Sequence, residues 1–137
     1  MDSSEDLHVA ACREVFEETG IETEFVGLLC FRHAHNFSFG KSDLFFVCLL
    51  KPLSYNIVKQ DSEIAACEWL ELDTYMSQPL TASSPLYSKL NSYIEKIVKN
   101  SGSKIFLERH TLPLGNRPGS NTLYLPMEMA EIKDSIY

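Results

Sequence analysis

No stretch of this 137-residue chain is apolar for longer than Leu44 to Leu50, far short of the roughly 20 residues a membrane-spanning helix needs, so no membrane segment is expected. Positive charge is scarce as well. Twelve Lys and Arg against 19 Asp and Glu leave a formal net charge of -7, which repels a nucleic-acid backbone or an anionic membrane and removes both from the expected partners. The four cysteines, Cys12, Cys30, Cys48 and Cys67, include no CxxC pair and lie singly among apolar residues. That argues against zinc-ribbon spacing and a disulfide framework, and predicts buried thiols in a reducing compartment, the cytoplasm first, with the mitochondrion and nucleus as alternatives. The opening MDSSEDLH is acidic and has no apolar run, so it reads as neither a signal nor a transit peptide. No internal repeat is present. With 45% apolar residues the chain can bury one core, and a single domain is expected.

What the chain does have is a dense set of carboxylates in the run from Glu5 to Ile21, EDLHVAACREVFEETGI. Ser3 and Asp6 have the spacing of a capping box, Leu7, Ala11 and Val15 recur every four residues with Cys12 and Phe16 beside them, and Gly20 suits the left-handed residue that stops a helix. On that helix Glu14, Glu17 and Glu18 stand at i, i+3 and i+4, so their side chains share one face within a turn. Like charges so placed repel, which calls for a cation between them. Oxygen ligands of this kind suit a hard divalent ion such as magnesium, which keeps several waters and prefers carboxylate plus substrate phosphate. Arg13, one turn before Glu17, is placed to orient that carboxylate and offset part of the repulsion. Three glutamates alone would more often make a solvated acidic helix face.

The whole pattern is more specific. A Glu, seven further residues, and then Arg13-Glu14-Val15-Phe16-Glu17-Glu18-Thr19-Gly20-Ile21 resembles the Nudix box from its first Glu, Glu5, onward. The box's opening Gly would lie before Met1, so the resemblance implies a chain truncated within the box, without the strands that precede it. Phe31-Arg32-His33-Ala34-His35, the stretch from Phe39 to Cys48, Leu50 to Leu53, Asp61-Ser62-Glu63-Ile64 and Glu68-Trp69 are similar to one Nudix subgroup. That subgroup holds the fibroblast growth factor antisense-encoded Nudix protein of animals and the plant ADP-ribose/NADH pyrophosphatases. The resemblance runs from about Glu5 to Pro79. It implies an α/β fold, a Nudix-like α/β/α sandwich with a mixed sheet that lacks its N-terminal strands. It also implies Mg2+ or Mn2+ as cofactor, held by Glu14, Glu17 and Glu18. The substrate would be a nucleoside diphosphate derivative such as ADP-ribose or NADH, cut to AMP plus ribose 5-phosphate or reduced nicotinamide mononucleotide.

Along the rest of the chain, Glu24 to Arg32 and Leu44 to Leu50 read as strands, the second so apolar that cover on both faces is expected, with a loop from Asn36 to Ser42 between them. Tyr55 to Val58 and Ala65 to Leu70 read as further short strands. Pro85 to Asn100 reads as a helix with an apolar stripe of Leu86, Leu90, Tyr93, Ile94 and Ile97, Lys96 and Lys99 in its last turn, and Gly102 to close it. These elements make residues 1–100 a partial Nudix domain and residues 101–137 a tail. In the tail, Ile105 to Leu107 and Thr122 to Leu125 either pair as a hairpin across the Pro- and Gly-rich loop from His110 to Ser120, or stay mobile.

Outside the box, Glu63 lies where some Nudix enzymes keep a second general base or metal ligand, against the plainer reading of a surface carboxylate. Arg32 and His35 match the subgroup's Arg-any-any-His pattern and, with His33, are candidates to hold a phosphate or ribose, as are Lys41 and Asp43. A polar strand end is the alternative. His8 and His110 read as structural or exposed, and Phe37 and Phe39 as core side chains or a stacking pair for adenine. Catalysis would rest on Arg13, Glu14, Glu17 and Glu18, with Glu18 or Glu63 as the proton acceptor. Two further readings remain: a truncated non-catalytic module that binds or dimerises, for which a homodimer would cover the Leu44 to Leu50 edge, and an acidic scaffold for calcium, which no EF-hand loop supports.

Overall fold

A computed structural model of the protein describes residues 4–36, 41–59, 64–79, 83–99 and 106–126, with Asn36, Lys41 and Ser42 described as backbone alone. Helix α1, Leu7–Thr19, starts one turn later than the capping-box spacing predicts. Asp6 is the N-cap, in extended backbone, and its carbonyl accepts the first helical bond from Ala10 N–H at 3.0 Å. Ser3 lies outside the described residues. At the other end Gly20 takes φ 74°, as expected, and its N–H bonds to Phe16 O at 2.8 Å. A Cβ there would stand 2.8 Å from the carbonyl oxygen of Val58, whose own N–H bonds to Thr19 O at 2.8 Å. Only glycine suits both the conformation and the close approach.

Four strands form one sheet in the order β2-β1-β3-β4. They are β1 (Thr23–Asn36), β2 (Lys41–Pro52), β3 (Leu107–Pro113) and β4 (Ser120–Pro126). The α/β class holds; the mixed character expected of the sheet does not show among the described strands, whose three pairings are all antiparallel. β1 and β2 pair from Thr23↔Pro52 to Asn36↔Lys41, with register shifts between Phe25 and Gly27 and between Leu28 and Cys30. At each shift β1 carries one residue more than β2, which re-aims its side chains. The neighbours Leu28 and Leu29, at the second shift, are both buried, at 4% and 8% exposure. They can be, because helices cover both faces there. α1 lies over Phe25, Cys48 and Tyr124, with the His8 and Phe25 ring centres 6.1 Å apart and those of Phe25 and Tyr124 6.3 Å apart. The helix Pro85–Lys99 lies on the other face, where Tyr93 Oη donates to Leu29 O at 3.3 Å.

Several expectations change. No residue from Leu44 to Leu50 is buried, and Leu44, Phe45 and Phe46 are exposed, so β2 is not covered on both faces. Among the described strands it lies at an edge, and its first half runs past the stretch of β1 that α1 covers. Tyr55 to Val58 and Ala65 to Leu70 are irregular and not strands. Strand-forming residues need a ladder partner, and these segments find single bonds instead: Val58 N–H to Thr19 O at 2.8 Å, and Trp69 Nε1 to Tyr55 O at 2.8 Å. Helix α2, Leu72–Met76, was not anticipated. Phe16, placed on the apolar side of α1 by its spacing, is 41% exposed at the helix border, whereas Ala10 is buried.

Helix α3, Pro85–Lys99, has the predicted place and ends on a Lys99–Glu95 ion pair. Its Ile97 is buried; so is Asn91, which the stripe did not include. Leu86, at the outer end of the stripe, is exposed. β3 and β4 form the hairpin that was one of the two expectations for the tail, in register from Leu107↔Pro126 to Pro113↔Ser120, and join the sheet through Leu28↔Leu107. His110 to Pro113 belong to β3, so the loop is shorter than the Pro and Gly residues suggest. Ile105, Gly102 and Asn100 lie outside the described residues. The four cysteines are free and half-buried. Burial pushes the Cys30 and Cys48 thiols up, the latter also through Cys12. No described helix is long and apolar enough to cross a membrane.

Under α1 the Tyr124 hydroxyl is buried with no hydrogen-bond partner among the described residues, and burial is the main reason its ionisation is pushed up. A buried hydroxyl without a partner costs about 1–3 kcal/mol. Tyr124→Phe keeps the ring contact and removes the hydroxyl. Chemical denaturation should therefore show a gain of about 1 kcal/mol; a loss would mean that the hydroxyl bonds a buried water.

Candidate active site

Arg13 is the centre of the acidic face of α1. Its Nε and Nη2 donate to the two carboxylate oxygens of Glu5 at 2.8 and 2.9 Å, a two-pronged fork across the start of the helix. Its Nη1 donates to Glu17 Oε2 at 2.9 Å, one turn on, and Nη2 stands 3.7 Å from Glu14 Oε1. The Glu5 bonds first and the Glu17 bond second hold the guanidinium proton more tightly than water would. Arg13 thus holds Glu17 in one orientation, as its place one turn earlier implied.

The larger part of the arrangement escaped the sequence reading. Glu5 was placed by pattern alone, with no role, yet it is the better-shielded partner of Arg13, its side chain 15% exposed against 57% for Glu17. Because Asp6 is the N-cap, Glu5 lies just outside the helix and can reach back over the first two turns. The fork ties the loop before α1 to the turn that carries the other glutamates. An open cleft of about 740 Å³ beside it is lined by Ser4, Glu5, Asp6, Val9 and Arg13.

Glu14, Glu17 and Glu18 all face solvent on α1. Among the described residues no three His, Cys, Asp or Glu side chains are close enough together to hold a metal ion, and Glu17 leans toward Arg13. In kind, the set fits a hard divalent ion: it is carboxylate only, confined to one turn, and open to water and to an anionic ligand. Glu63 lies outside the described residues, as do Phe37, Phe39 and the side chain of Lys41.

Arg32 and His35 do not converge. The register from Phe31↔Phe46 to Asn36↔Lys41 runs without a shift, so residues three apart stand on opposite faces of β1. Arg32 points to the α3 side, its guanidinium carbon 4.5 Å from the centre of the Phe45 ring, at a cavity of about 560 Å³ that Val47, Leu86, Leu90 and Tyr93 also line. His35 is exposed on the other face beside His33. A single phosphate therefore cannot bridge Arg32 and His35 across the strand. Asp43 is exposed, His8 packs on Phe25, and His110 Nε2 stands 3.6 Å from Glu108 Oε2.

Residues 1–90 match the NUDIX domain model. Nudix hydrolase 10 of Arabidopsis thaliana is 48% identical over 91 residues, which cover 66% of this chain and 33% of that protein. Nucleoside diphosphate-linked moiety X motif 6 of Xenopus laevis is 52% identical over 73 residues, 52% of this chain and 34% of that protein. Nudix hydrolase 5 of Arabidopsis thaliana is 34% identical over 130 residues, so that likeness extends through the β3–β4 hairpin to 93% of this chain. The chain spans about a third of the length of the first two of these relatives.

Proposed function

Since this chain belongs to the Nudix family, we propose that it is a Mg2+- or Mn2+-dependent pyrophosphohydrolase acting on nucleoside diphosphate-linked compounds such as ADP-ribose or NADH. The observation that carries the reading is the fork of Arg13 on Glu5 and Glu17, which makes the acidic turn of α1 an organised site and not merely a solvated face. Glu14, Glu17 and Glu18 would hold the ion. A bound ion of this class neutralises charge on the diphosphate and lowers the pKa of water. Arg13 keeps Glu17 in one orientation and offsets repulsion within the turn, and Glu5 keeps Arg13 from following the substrate's phosphates. Glu18 or Glu63 would take the proton of the attacking water. Release of AMP from ADP-ribose and from NADH, measured side by side, tests the activity and ranks the substrates; no AMP from either would end this reading.

Substitution at Glu63 separates its two roles. If it is the proton acceptor, Glu63→Gln should lower the rate at saturating substrate by roughly 10²–10⁴ with magnesium affinity nearly unchanged. Weaker magnesium binding would make it a ligand, and no change in either would leave a surface carboxylate. A second reading, a binding or dimerising module without turnover, is favoured by the exposed edge strand β2, where Leu44, Phe45 and Phe46 lie open to solvent. Sedimentation across a range of concentrations distinguishes it: a dimer without AMP release supports the module, and a monomer with release supports the enzyme.

A further inference from the structure

His33 and His35 alternate with Arg32 and Ala34 on β1 and share its exposed face, with ring centres 4.3 Å apart and planes inclined at 53°. Their partners across the strand are Leu44 and Ser42, while Asp43 lies opposite Ala34 on the other face. We propose that His33 and His35 form a chelating site for a borderline divalent transition metal ion, Ni2+, Cu2+ or Zn2+, distinct from the carboxylates of α1. The inference does not rest on the hydrolase reading.

Geometry carries it first. A metal–nitrogen bond of about 2.0–2.1 Å, with the imidazole centre roughly 1.1 Å further on, puts two rings at right angles about one ion with their centres about 4.5 Å apart. The observed 4.3 Å matches that spacing, so the two side chains need only ring rotation to turn one nitrogen each toward a shared ion. Two histidines at i and i+2 on a strand stay on one face, so the backbone holds them in this relation without help from a loop. Chemistry carries it second. Neutral imidazole nitrogen suits nickel, copper and zinc, whereas carboxylate oxygen suits magnesium, so the two sites sort ions by kind. With two protein ligands, the remaining positions fall to water, which makes this an open and exchangeable site, unlike a closed structural one.

The other two histidines serve as internal controls. His8 packs on Phe25 with its Nδ1 buried, and His110 lies beside Glu108 on β3. In a titration with Ni2+ followed by proton NMR, the ring resonances of His33 and His35 should broaden together and before those of His8 and His110. By equilibrium dialysis, His33→Gln and His35→Gln should each weaken Ni2+ binding at least as much as loss of an outer-shell partner does, about tenfold or more. His110→Gln should leave it unchanged, as should a large excess of Mg2+. Earlier broadening at His8 or His110 would overturn the proposal. So would Ni2+ binding that survives both substitutions, since it would assign the ion to the thiols or to another group; the NMR result on the parent chain decides the matter even if a variant folds poorly.

Discussion

Replacing Glu17 or Glu18 with Gln is expected to lower hydrolysis of a nucleoside diphosphate substrate by roughly 10²–10⁴ while leaving α1 intact. Gln has nearly the helix propensity of Glu, and both side chains point to solvent, so neither change removes packing. What each removes is a negative oxygen pair from the turn that would hold the ion. Glu17→Gln also weakens the Arg13 bond at 2.9 Å, but the fork on Glu5 remains to hold the guanidinium. Circular dichroism together with the rate of AMP formation checks the expectation. Rates within a few-fold of the parent would take these two residues out of the site.

Gly20→Ala is expected to destabilise the protein by about 2–4 kcal/mol, the sum of a left-handed conformation forced on a residue with a Cβ and of overpacking in a tight contact. The added carbon would stand 2.8 Å from Val58 O and 3.2 Å from Val58 Cβ, so backbone and side chain must both give. Moving Val58 loosens its bond to Thr19 O, the one described backbone link between the end of α1 and the segment that follows β2. The melting temperature should fall by roughly 6–15 °C. A fall of only a degree or two would mean that the segment around Val58 shifts freely, and that α1 is held by its packing on the sheet.

How far these features could be read in advance depends on the range of the interaction. The acidic turn, the Gly20 stop and the helix α3 are local, set by the period of a helix, and all three stand where the residues put them, although Leu86 of the α3 stripe is exposed and Asn91 beside it is buried. The Glu5–Arg13 fork joins α1 to a residue that lies before its N-cap, so helical periodicity was silent about it. The bulges in β1 were equally hidden. They change which residues of β1 share a face, and the apolar run Leu28-Leu29-Cys30 does not mark where the extra residue falls. Tyr55 to Val58 and Ala65 to Leu70 have strand-forming residues, but a strand needs a neighbour, and propensity says nothing about one. The parting of Arg32 from His35 was legible, since an odd spacing on a strand puts two side chains on opposite faces.

The central claim, that the acidic turn of α1 serves diphosphate hydrolysis with a divalent ion, is tested most directly by phosphorus NMR of ADP-ribose incubated with this chain and Mg2+. The account predicts that the diphosphate resonances are replaced by two phosphomonoester resonances, and that a chelator in excess of the metal stops the change. Diphosphate resonances that persist unchanged with Mg2+ present, or turnover that continues undiminished after chelation, would contradict it.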